Sequence, residues 1–115
     1  MNNDNKPRVI TDFKKISQEV QEQVKLLYPN GFSQYLISIT NKEGKKANAL
    51  RFETEDKIYL FRMSIHQAEK LISEDSDYDE EGILKKDIKK NYIERYIDLD
   101  LLLLNDDEDN IYDLS

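Results

Sequence analysis

Tyr35-Leu36-Ile37-Ser38-Ile39-Thr40, Ala47-Asn48-Ala49-Leu50-Arg51-Phe52-Glu53 and Ile58-Tyr59-Leu60-Phe61-Arg62-Met63 are the three runs on which the fold turns. Each alternates or is continuously apolar over six or seven residues, the period of a strand. Between the first two lies Asn41-Lys42-Glu43-Gly44-Lys45, a hairpin loop with glycine at a left-handed position. Between the second and third lies Thr54-Glu55-Asp56, a second tight connection. Loops this short predict a three-stranded antiparallel meander. The third run is the most apolar, which places it centrally or under cover on both faces.

Upstream, the period changes. Phe13, Ile16, Val20, Val24 and Leu27 recur at spacings of three and four, the stripe of an amphipathic helix, with Thr11 or Asp12 as its N-cap. Pro29 ends it near Tyr28, and Pro29-Asn30-Gly31 reads as a turn. Downstream, Ser64-Ile65-His66-Gln67 is a capping box opening a short helix with Ile65, Ala68, Leu71 and Ile72 on one face. A further helix is predicted over residues 83–97, with Leu84, Ile88, Tyr92 and Tyr96 in one stripe. Ile97, Leu99, Leu101 and Leu103 then alternate with Asp98 and Asp100, the pattern of an edge strand or docking segment; a helix extension is the other reading.

The expected fold is therefore a single α+β domain of order α-β-β-β-α-α. Residues 1–10 are expected to be disordered, residues 11–104 to form the domain, and residues 105–115 to be a mobile acidic tail. The expected core is Phe13, Ile16, Val20, Val24, Ile37, Ile39, Leu50, Phe52, Leu60, Phe61 and Leu71.

At 115 residues the chain is about one domain long. It has no cysteine, which excludes disulfides, zinc ribbons, iron–sulfur clusters and thiol nucleophiles. No apolar stretch is long enough for a membrane helix and the start is polar, so a soluble cytoplasmic protein is expected. The net charge is −7, unevenly placed. Residues 1–73 carry 12 Lys and Arg against 9 Asp and Glu; residues 74–115 carry 5 against 15. An acidic C-terminal third on a mildly basic body points to solubility, to a partner-binding tail, or to a tail that screens the body's own basic surface.

Three constellations could carry chemistry. Asp77, Asp79 and Glu81, followed by Gly82 and Leu84, match the opening of a calcium loop. The closing position is Ile88, where a bidentate glutamate is required, so a standard helix–loop–helix calcium site is contradicted and tight binding is not expected. Lys45, Lys46, Arg51 and Arg62 lie on or near the meander, interleaved with Tyr59 and Phe61, a combination that can stack single-stranded nucleic acid. His66 is the sole histidine, and no motif sets a serine and an acid beside it, so a surface histidine is expected. Past the acids at 106–109, Ile111, Tyr112 and Leu114 form a short apolar tip on a charged tether, the candidate partner-binding residues.

Tyr28-Pro29-Asn30-Gly31-Phe32, Asn41-Lys42-Glu43-Gly44-Lys45-Lys46, Phe52-Glu53-Thr54-Glu55-Asp56-Lys57 and Asp77-Tyr78-Asp79 resemble a family of short acidic bacterial proteins of unknown function, some loosely labelled DNA primase. The resemblance covers about half to two-thirds of the chain and carries no functional residue with it. The expected function is a small non-enzymatic protein-interaction module whose acidic C-terminal segment contacts or regulates a protein partner, with no cofactor. A second copy of the chain is another candidate partner. An accessory factor that binds nucleic acid or mimics its charge is the alternative reading, and calcium binding through the acidic loop the third.

Overall fold

The computed structural model describes residues 6–104, the last eight of them as backbone only. Four strands form one sheet: β1 (Arg8–Thr11), β2 (Ile37–Thr40), β3 (Lys46–Glu53) and β4 (Ile58–Arg62). Three α-helices accompany them: α1 (Gln18–Leu27), α2 (Ile65–Ser73) and α3 (Lys86–Leu104). The spatial strand order is β1-β4-β3-β2. The meander of β2, β3 and β4 is antiparallel as expected, and β1 adds to its far side in parallel with β4.

β1 places residues 8–10, expected to be disordered, in the sheet, while residues 1–5 lie outside the described residues. Arg8↔Ile58 through Thr11↔Phe61 are in register, and the Ile58 N–H donates to the Pro7 carbonyl at 2.9 Å. The element order therefore begins with a strand. The first helix also starts later than its apolar stripe. Phe13–Lys15 form a 3-10 turn, and Ser17, not Thr11 or Asp12, is the N-cap: its hydroxyl accepts from the Val20 N–H at 3.3 Å. The helix still stops at Tyr28, and Gly31 takes a φ of +104° in the turn behind Pro29, a conformation that strains any residue with a Cβ. The capping box of α2 is complete, with Ser64 and Gln67 satisfying each other's backbone N–H. α3 is continuous through Leu104, so residues 99–104 are helical rather than an edge strand.

A sheet residue belongs to one of two faces, and the register sorts them. Leu50 lies opposite Phe61, and Phe52 opposite Tyr59. These join Met63, Phe13, Val24, Phe32, Ala68, Ile72, Tyr78 and Leu84 in the main core, under the helices. Phe61 sits at its centre, edge-on to Phe13 with ring centroids 5.5 Å apart. On the other face Ala49, Ile58 and Leu60 form a second cluster with Ile39 against it, built of strand residues alone. Ile37, expected in the core, is on that second face and 40% exposed. Ile65 and Leu27 are exposed as well, at the rims of their stripes.

Candidate functional site

The second face is the candidate site. Arg8↔Ile58, Ile10↔Leu60, Arg51↔Leu60, Ala49↔Arg62 and Ile37↔Ala49 are pairs across it, so an apolar strip crosses all four strands from Ile10 to Ile37. Arg8, Ile10, Ile37, Ile39, Arg51, Ile58 and Leu60 line a shallow depression of about 460 Å³ on this face. Its two ends are open: Ile10 and Ile37 are each about two-fifths exposed. Its middle is nearly dry, with Ile58 and Leu60 both 5% exposed although no helix residue belongs to their cluster.

The rim is cationic. Arg51 pairs with Glu53 at 2.7 Å, Lys6 with Glu53 at 2.6 Å, and Arg62 reaches Asp12 at 3.4 Å. Hydrogen bonds from Lys6 and Arg51 hold the Glu53 carboxyl below the usual glutamate range. Arg8 has no ion pair among the described residues. Four cations thus stand against two carboxylates around an apolar floor. The exposed ion pairs are weak, each worth under about 1 kcal/mol, and a better-placed carboxylate can exchange with them.

The remaining sequence candidates fall elsewhere. Arg51 and Arg62 are on the open face, but Lys45 and Lys46 belong to the β2–β3 hairpin end. Tyr59 and Phe61 alternate with Leu60 and therefore point to the helix-covered face; Tyr59 stacks on Phe61 and Phe61 is fully buried. The interleaving of bases and aromatics in sequence does not become a shared stacking surface. Asp77 turns inward to Lys25 and Tyr92, while Asp79 accepts from the Glu81 and Ile83 N–H groups in its own loop. Among the described residues no group of three or more carboxylates or histidines is placed to hold a metal ion. His66 is exposed on α2. Ile111, Tyr112 and Leu114 lie outside the described residues.

A second polar cluster lies between α1 and α3. Lys25 contacts Asp75 at 2.6 Å and Asp77 at 2.9 Å, and Tyr92 donates to Asp77. One turn away Glu22, buried, accepts from the Tyr96 hydroxyl, from Arg95 at 2.7 Å and from Gln18 at 3.0 Å. Burial alone would raise Glu22 and Asp77, but the hydrogen bonds they accept outweigh it and hold both carboxyls low. Burial likewise pulls Lys25 down and its two aspartates win, leaving it raised. Burial and the bond to Glu22 push Tyr96 up to about 12. Every group is driven further into its ordinary charge state. A general acid or base needs the opposite, a pKa drawn toward the working pH. This cluster is a clamp holding α3 on α1.

Sequence reasoning missed Arg8, Ile10 and the Glu22–Lys25 clamp. The three β-branched residues Val9, Ile10 and Thr11 were the available signal for β1. For the clamp there was none, because charged residues on a helix read as a solvated face. Comparison with protein-family models, curated proteins and solved structures finds no match. Among the described residues no helix is long and apolar enough to cross a membrane.

Proposed function

We propose that the protein is a non-enzymatic interaction module and that the open sheet face is its binding surface. One observation carries this reading: a sheet whose main core lies under helices on one face presents on the other an apolar strip rimmed by arginines. Such a surface suits a segment that combines apolar side chains with carboxylates. The apolar floor supplies affinity and the arginines supply orientation through two-pronged carboxylate contacts. The nucleic-acid reading is less well supported, because Tyr59 and Phe61 lie on the opposite face of the sheet from Arg51 and Arg62.

The experiment compares affinity capture from native lysate by the parent, by Ile37→Glu, and by His66→Ala on the helix side. The parent and His66→Ala are expected to retain the same proteins and Ile37→Glu to lose them. An unchanged set with Ile37→Glu removes the face from consideration.

A further inference from the structure

We propose that the open sheet face is the docking site of the chain's own C-terminal segment, residues 105–115. The proposal rests on the reading of this face as the binding surface and names its resident occupant. The segment has the chemistry the face asks for. Asp106, Asp107, Glu108, Asp109 and Asp113 are its only charged side chains, and Ile111, Tyr112 and Leu114 its apolar ones. The face offers the reverse, with Arg8, Arg51 and Arg62 around a floor that ends in the exposed Ile10 and Ile37. In extended geometry Tyr112 and Leu114 point the same way, so both can meet the floor while the acids ahead of them meet the rim.

The path is short enough. Asp77 and Tyr92 meet Lys25, whereas Arg95 and Tyr96 meet Glu22, so α3 runs antiparallel to α1 and toward the α1 N-terminus. That N-terminus follows directly from β1, the strand that carries Arg8 and Ile10. The chain therefore leaves α3 beyond the end of α1 that residues 12–17 join to β1. Eleven extended residues reach about 36 Å, which exceeds the roughly 10 Å depth of a helix layer and the roughly 14 Å width of four strands taken together. A second copy laid face to face is the poorer occupant, because it sets arginines against arginines.

The test uses the full chain. Because it has no cysteine, Ser115→Cys accepts a single nitroxide label. Amide signals of Ile10 and Ile37–Thr40 are expected to lose at least half their intensity on labelling, with those of α2 unaffected. The loss should vanish in about 1 M salt, where the screening length is about 3 Å. It should also vanish in Arg8→Glu and in Arg51→Glu, both of which are expected to melt as the parent does. A sample mixing labelled chain with separate isotope-enriched chain is expected to show no broadening. No broadening on the face, broadening elsewhere, or broadening only in the mixed sample each overturns the proposal. If Ile37→Glu abolishes lysate capture while the label never approaches the face, the binding surface stands and its resident occupant falls. If neither experiment responds, both fall.

Discussion

Replacing Glu22 by glutamine is the sharpest test of how α3 is held. The side chain is 5% exposed and receives three donors: the Tyr96 hydroxyl, Arg95 and Gln18. Glutamine keeps the shape and one acceptor oxygen but removes the charge and turns the other oxygen into a donor. Tyr96 and Arg95 both donate to Oε1 and can keep it as the amide oxygen, now without its charge; Gln18, which donates to Oε2, then faces an NH2 group. A hydrogen bond to a charged group contributes roughly 1.5–3 kcal/mol. Arg95 is 54% exposed, so water compensates part of the lost charge, which places the net cost of Glu22→Gln at the low end, about 2 kcal/mol. For a domain of this size each kcal/mol lowers Tm by roughly 4 °C, so a drop of about 8 °C is expected at neutral pH.

The pH dependence is the second half of the same experiment. The folded-state pKa of Glu22 is below the ordinary glutamate value of 4.5. An unfolded chain therefore binds this proton first as pH falls, and the stabilisation is present above about 4.5 and is lost below it. Melting curves from pH 7 to pH 3 should converge for parent and Glu22→Gln at the acid end. A variant that melts within about 2 °C of the parent at pH 7 and keeps the same acid limb would refute the clamp.

At the alkaline end the signs also agree. Lys25, Tyr78, Tyr92 and Tyr96 are all raised in the folded state, so stability should fall steeply as pH climbs above about 10, and a flat melting profile to pH 11 would contradict this. Phe61→Ala, at a fully buried site touching Phe13 and Tyr59, is expected to cost about 3–5 kcal/mol by denaturant titration, whereas Ile37→Ala on the open face should cost under about 1 kcal/mol; comparable costs would reverse the assignment of the two faces. Amide exchange should find β4 among the slowest segments, and deleting residues 1–11 should speed it by uncovering the edge that β1 protects; no change would mean that β1 adds nothing to the sheet.

The legible parts of this fold are those written in neighbouring residues. The β2–β3 hairpin is announced by Asn41 and Gly44, and the structure uses both: the Asn41 carboxamide accepts from the Glu43 and Lys45 N–H groups, and Gly44 takes a φ of +81°. The Ser64–Gln67 box is equally local. β1 was not legible because its partner is about fifty residues away, and four residues between polar neighbours carry too little apolar signal to outweigh a terminal position. The late start of α1 has another cause. Phe13 and Ile16 keep helical spacing by sequence while their backbone makes a 3-10 turn and an extended step. Spacing reports a stripe, and the first N-cap that satisfies the helix decides where it begins.

The expected core mixed the two faces of the sheet, and the reason bears on function. A period of two states which residues share a face, but it does not state which face the helices will cover. Leu50, Phe52 and Phe61 went under the helices; Ile37, Ile39 and Leu60 went to the other side. A sheet with isoleucine and leucine on its uncovered face ordinarily needs a second layer. Here Ile58 and Leu60 stay dry among flanking side chains that include Arg8 and Arg51, whose long stems can shelter an apolar floor while their guanidinium heads remain in water. Such shelter opens by rotamer changes rather than by unfolding. A ligand that brings a carboxylate to each arginine draws the heads aside and meets the floor in the same step. An arginine-rimmed strip can thus be stable in the free chain and still favour acidic, apolar-tipped segments over purely apolar ones. That selectivity follows from the rim and not from the floor, so charge reversal at Arg8 or Arg51 should change which segments bind before it changes whether the domain folds.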